Sequence, residues 1–176
     1  MRLLIYEWSC SGGMQSEMAR TILKKMPLVG FLKEGRLMIE ALAWDASKNM
    51  GIDVTVMVDE TLSPENAPQL PAESTVQNVA CGRDIESLLE IASTFDHIIF
   101  IAPETQGVLV HSLQKIEHAG FGDRLTNCPI PFVAAASDKH TTCTILAAAG
   151  IPTPAGFTVP AGGRLPANCH LPAVLK

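Results

Sequence analysis

The chain opens on an apolar run, Arg2 to Tyr6, that stops at Glu7-Trp8-Ser9-Cys10-Ser11-Gly12-Gly13, a cluster of turn formers. A short apolar run bounded in this way reads as a buried strand and its loop. From Leu32 to Asn49, apolar residues fall at 37, 38, 41 and 42 among charged ones, and Gly51 follows as a stop, which is the pattern of an amphipathic helix. Ile52 to Val58 alternates and is rich in Val and Ile, so a second strand is expected there, followed by a Pro-rich loop from Leu62 to Pro71. Thr75 to Val79 is a weaker third strand. Ile85, Leu88, Leu89, Ala92 and Phe95 have the spacing of a helix face, and His97 to Ala102 (HIIFIA) is the unbroken apolar run expected of a central parallel strand. Pro103-Glu104-Thr105-Gln106-Gly107 then forms a loop before a helix from about Val108 to Ala119.

Strands alternating with helices over residues 1–125 predict an α/β fold, a Rossmann-like, doubly wound parallel sheet flanked by helices. Ligands of such sheets sit outside the carboxyl ends of the strands. That rule directs attention to Glu7–Gly13 and Pro103–Gly107. Beyond Asn127, Ser137 suits an N-cap and Asp138 a first helical turn, and the Ala-rich stretch to Ala149 ends at Gly150. Gly156 to Val159 is strand-like, and Ala173-Val174-Leu175-Lys176 reads as the opening of a further strand. The expected division is residues 1–126 and 127–176.

Composition narrows the class. The 176 residues are 47% apolar and 18% charged, with a net charge of −5, which excludes disordered, collagenous and disulfide-scaffold chains. The five cysteines form no CxxC pair, no secretory h-region is present, and no apolar run reaches the ~18 residues of a membrane span. A cytoplasmic chain with reduced cysteines is expected, with no membrane partner, and the acidic balance without a basic stripe argues against nucleic acid. The charge is also uneven: no Asp or Glu follows Asp138. That tail, ending on a strand-like segment, gives the expectation of a truncated chain.

Ser11-Gly12-Gly13 lets backbone approach a ligand closely, yet it is neither G-x-G-x-x-G nor a P-loop, and a plain turn is the competing reading. Glu104 could orient an amine, against the alternative of an exposed loop acid. His97, His111, His118, His140 and His170 lack metal-ligand spacing and are expected to be structural or solvated. Trp8 and Trp44 are expected in packing or as pocket walls.

Ser137-Asp138-Lys139, then Ala148-Ala149-Gly150-Ile151-Pro152-Thr153-Pro154, then Pro172-Ala173-Val174-Leu175-Lys176 occur in this order and at this spacing. The set resembles the entry to the ATP-grasp fold. Ile5–Gly13, Lys33-Glu34-Gly35-Arg36-Leu37-Met38 and Ile101-Ala102-Pro103-Glu104-Thr105 resemble the pre-ATP-grasp region of tyramine–glutamate ligase-like proteins. Trp8 and Cys10 depart from that pattern, which has Tyr or Phe and a small residue. The resemblance implies ATP-dependent ligation of a small-molecule carboxylate to an amine through an acyl phosphate, in methanofuran-type coenzyme synthesis. It implies ATP phosphates held by Lys139 and Lys176, and Mg²⁺ held by side chains beyond residue 176, so that the 176 residues alone are expected to be inert. Lysines from two elements can clamp phosphate oxygens with charge-assisted hydrogen bonds. Substrate contacts are expected at Glu7, Ser11, Gly12, Gly13 and Glu104. Two alternatives stand beside this: a Rossmann- or flavodoxin-like binding module without ATP chemistry, and a structural role in which the sheet forms a homodimer.

Overall fold

The computed structural model describes residues 1–16, 28–160 and 162–166. They divide into two compact units, Met1–Ala134 and Ala135–Lys176.

In the first unit, β1 (Arg2–Glu7), β2 (Asp53–Asp59), β3 (Thr75–Val79) and β4 (His97–Ile101) form one parallel sheet in the order β3-β2-β1-β4. The helices are α1 (Leu28–Ser47), α2 (Asp84–Ile91) and α3 (Val108–His118). Alternation along β1 splits the core in two. Leu3 and Ile5 join Val54, Val56 and Val58 of β2 beneath α1, whose inner face is Ile39 and Ala43 at a one-turn interval. Leu4 and Tyr6 face the other way, with Met57, Ile98 and Phe100, beneath Ile85 and Leu88 of α2 and Val108, Leu113 and Ile116 of α3. Helices therefore cover both faces of the sheet, as the alternation of elements predicts.

The chain runs from β1 outward to β2 and β3, then crosses back to pair β4 with the other side of β1. The switch point of the winding thus lies between β1 and β4, where open α/β sheets leave a crevice at their carboxyl ends.

Three expectations are corrected. The HIIFIA run is not central: β4 ends the strand order among the described residues. Its apolar sequence has another cause. Its outer edge is covered by irregular chain: Leu125 bridges Ile98, the Thr126 amide donates to Ile98 O (3.0 Å), and Asn127 Nδ2 donates to Phe100 O (2.9 Å). Backbone groups on that edge find partners without a fifth strand, while of the side chains only Ile98 and Phe100 are buried.

Ser137 is not an N-cap. It closes a helix the sequence pattern did not suggest, α4 (Ile130–Ser137), with Pro131 in its first turn, where proline's missing N–H costs nothing. The cap of α5 (Lys139–Ala148) is Asp138, whose extended backbone and carboxylate take the Thr141 amide at 2.6 Å. That hydrogen bond holds the Asp138 carboxyl below the ordinary range. Finally, Gly156 to Val159 is not a strand; residues 151–160 have no regular structure. Ala173 to Lys176 lies outside the described residues.

Candidate functional site

Glu7 ends β1 opposite Ile101, and the next amide, Trp8, donates to Ile101 O at 2.9 Å. The loops after β1 and β4 are thereby laced together at the switch point. These are the two loops the sequence singles out.

The loop after β1 is tied from within by its first residue. Glu7 is buried, and its Oε2 accepts from the Ser9 hydroxyl (2.6 Å), the Ser9 amide (3.1 Å) and the Cys10 amide (3.0 Å). A carboxylate with three donors is satisfied by charge-assisted bonds, which is what lets an acid sit at the end of a buried strand. Ser11, also buried, donates to Met57 O at 2.7 Å and accepts from the Glu7 amide at 3.1 Å, pinning the loop to β2. Gly12 has φ +96°, which only glycine adopts readily, and turns the chain back so that Gly13 lies against the Trp8 ring. The amides of Ser11 and Gly13 donate to Glu7 O and Trp8 O, both at 2.8 Å. These N–H groups are committed inside the loop, and the acids Asp59 and Asp84 lie beside Gly12, so this turn is a poor cradle for a phosphate.

Cys10, inside the same knot, has its thiol pushed up to about 12, first by burial and then by the Glu7 charge. It is held as an inert thiol. Cys81 and Cys128 are exposed and free.

Glu104 is exposed and leads into a short turn, Thr105–Gly107, in which Gln106 has φ 55°. A left-handed non-glycine residue in a loop at a switch point is a strained conformation of the sort functional sites retain. Of the expected contacts, Glu104 is exposed, while Glu7, Ser11, Gly12 and Gly13 are buried in the loop after β1. Lys139 is the first residue of α5, in the second unit, with Nζ 3.4 Å from Ala136 O. Lys176 lies outside the described residues. The α5 N-terminus already holds the Asp138 carboxylate, so charge at this end comes from the Lys139 ammonium rather than from open helix amides.

Sequence reasoning missed three buried polar groups at the same carboxyl edge. Asp59, ending β2, accepts from the Thr61 amide (2.8 Å) and hydroxyl (2.7 Å). Asp84, opening α2, accepts from the Tyr6 hydroxyl at 2.7 Å, and Tyr6 stacks on Phe100 with ring centroids 4.3 Å apart. A single acid at a strand end or helix start has no spacing signature; only its position beside a sheet edge marks it.

Burial raises the Asp84 carboxyl above its ordinary value against the opposing pull of the Tyr6 hydrogen bond, and burial likewise pushes the Tyr6 hydroxyl well up. The fold thus holds the Asp84 proton more tightly than the unfolded chain does. Its contribution to stability is complete below the ordinary carboxyl range and is lost as pH rises through the raised folded value. Tyr6→Phe removes the donor that the ionised carboxylate uses, raising Asp84 further. The variant is expected to lose about 1.5–3 kcal/mol at neutral pH and less near pH ~4, measured by urea unfolding at both.

A cavity of about 290 Å³ lies apart from these groups, lined by Leu113, Glu117, Leu125, Asn127, Cys128 and Ile130. Among the described residues no group of three or more His, Cys, Asp or Glu is placed to hold a metal ion, and no described helix is long and apolar enough to cross a membrane.

No curated protein matches this chain. Residues 52–129 match the pre ATP-grasp 3 domain family, a span that begins just before β2, includes Glu104 and ends beyond the chain covering the edge of β4, so the greater part of the described sheet is similar to the domain that precedes the nucleotide-binding fold in ATP-grasp proteins.

Proposed function

We propose that this chain is the N-terminal, substrate-side part of an ATP-dependent carboxylate–amine ligase that works through an acyl phosphate. The observation that carries the reading is the match of residues 52–129 to a pre ATP-grasp domain, in which the loop after β4 carries the exposed residue Glu104. The S-D-K segment supports it, since Lys139 starts a helix whose cap is settled by Asp138.

In this reading the sheet domain and the following segment divide the work. Glu104, exposed at the crevice, attracts and orients a cationic amine. Lys139, with Lys176 as its counterpart, neutralises charge on the nucleotide phosphates, where an ammonium acts as a compact point charge. ATP when bound supplies the phosphoryl group that activates the carboxylate. Mg²⁺ would accompany the nucleotide, and among the described residues no group of three or more His, Cys, Asp or Glu is placed to hold it. Glu7 and Ser11 act as positioning residues, since their oxygens are engaged in holding the loop. The resemblance to tyramine–glutamate ligase-like proteins suggests tyramine and glutamate as first test substrates and methanofuran-type coenzyme synthesis as the setting.

Hydroxylamine trapping separates these roles, because it reports acyl phosphate formation without the natural amine. In the full-length ligase, Lys139→Ala is expected to lower both hydroxamate formation and ligation by about 10²-fold or more. Glu104→Gln should leave hydroxamate formation intact and raise the KM for the amine about tenfold. ATP- and carboxylate-dependent hydroxamate that never forms, with any candidate pair, speaks against the ligase reading. The flavodoxin-like alternative places a phosphate on the Ser11-Gly12-Gly13 turn, and the internally bonded amides there disfavour it.

A further inference from the structure

The outward face of α1 carries Leu37 and Trp44, 51% and 49% exposed, on the side away from the core residues Ile39 and Ala43. Large apolar side chains grouped in water mark interaction surfaces. The Trp44 ring is also held in place, since its Nε1 donates to Gln69 O at 3.2 Å. Positions 34, 37, 41, 44 and 48 recur at three- and four-residue intervals and so lie along one stripe. All five are exposed.

The order of residues on that stripe says what covers it. Glu34 stands at one end, Lys48 at the other, and Ala41 halfway, small enough to let a second helix approach closely. A two-fold axis across α1 at Ala41 reverses the direction of the second helix. It brings Glu34 of one copy to Lys48 of the other and Leu37 of one to within one residue's rise, about 1.5 Å, of Trp44 of the other, so each group meets its complement twice. Parallel alignment would instead set Glu34 on Glu34 and Lys48 on Lys48. The Lys48 ammonium, on the residue that follows α1, is 2.8 Å from Asp45 of the helix's last turn, in a pair exposed on both sides, which is a weak hold that leaves it able to bridge to a second chain.

We propose that this face of α1 docks a second copy of the same chain as an antiparallel, two-fold helix pair centred on Ala41. Such self-complementarity is the requirement of an isologous dimer. The stripe is about 21 Å long at 1.5 Å per residue, so the interface is small and the dimer weak, with a Kd on the order of 10–100 μM.

Sedimentation velocity from about 5 to 500 μM reads this directly, across the range where such a Kd changes the population. The wild-type chain is expected to pass reversibly from monomer to dimer. Glu34→Lys and Lys48→Glu should each weaken association about tenfold or more, while the double variant, which has the wild-type net charge, recovers it to within about threefold. Trp44→Ala should weaken it as well, with circular dichroism confirming that every variant is folded. A wild-type chain that stays monomeric at all concentrations overturns the proposal. So does a dimer indifferent to these substitutions, or a double variant no better than the singles.

Discussion

Glu7→Ala is expected to remove about 3–5 kcal/mol of stability, a third or more of what a domain of this size usually has. The substitution deletes the acceptor of three hydrogen bonds at once, from the Ser9 hydroxyl and the Ser9 and Cys10 amides. Each donor is buried, and a charged acceptor is worth about 1.5–3 kcal/mol per bond, so entry of water into the vacated space offsets only part of the loss. Glu7→Gln keeps an acceptor oxygen but turns an NH₂ toward donors, and should cost roughly 1–2 kcal/mol. Urea unfolding measures both. Because Glu7 also ends β1 opposite Ile101, amides of residues 8–13 should lose protection in hydrogen exchange before the rest of the sheet does. Equal stability of wild type and Glu7→Ala would mean that the carboxylate is not what closes the loop.

The second large effect concerns one substitution at two places in one helix. Gly35→Ala puts a methyl group where the Glu7 carboxylate and Ser9 hydroxyl already are, so helix and loop cannot both keep their positions. Ser9 also reaches Phe31 O at 3.2 Å, which leaves it little room to withdraw. Alanine normally gains about 1 kcal/mol over glycine inside a helix, and here overpacking of about 1–3 kcal/mol or more outweighs it. At Gly30, in the same helix, a methyl group meets nothing within 4 Å, and Gly30→Ala is expected to stabilise by up to about 1 kcal/mol. Thermal unfolding of the two variants should therefore shift in opposite directions. A shift of the same sign would show that α1 does not seat on the Glu7 loop through Gly35.

The elements the sequence disclosed are those whose causes are local. β1, β2 and β3 follow from short apolar or alternating runs between turn residues, and the existence of α1 from its spaced apolar residues before Gly51, although of the positions 37, 38, 41 and 42 only Leu42 packs against the core and the buried face is Ile39 and Ala43. The causes that stayed hidden are distant in sequence. The HIIFIA run reads as central because its edge is satisfied by residues about 28 positions later, and no pattern within the run records that. Asp138 and Ser137 are both good caps, and the choice between them depends on α4 extending through Ser137.

The candidate site divides in the same way. That the loops after β1 and β4 meet at the switch point was legible, since the rule for open parallel sheets needs only the order of elements. The roles within the site were not. Glu7 and Ser11 look like loop groups offered to a ligand, whereas the fold turns them inward to hold the loop's own amides and β2. Burial reverses the meaning of a polar residue in a loop, and burial is a property of neighbours. Asp84 and Tyr6, 78 positions apart, meet only because α2 begins over the end of β1.

Nucleotide contact is thus proposed for the segment around Lys139 and not for the glycine turn after β1. Hydrogen exchange of the proposed ligase with and without ATP and Mg²⁺ tests that division residue by residue. Slowed exchange confined to α5 and the residues C-terminal to it, with residues 8–13 unchanged, is the predicted result. Slowed exchange at residues 8–13, with α5 unaffected, would place the phosphate on the sheet domain and contradict the proposed division.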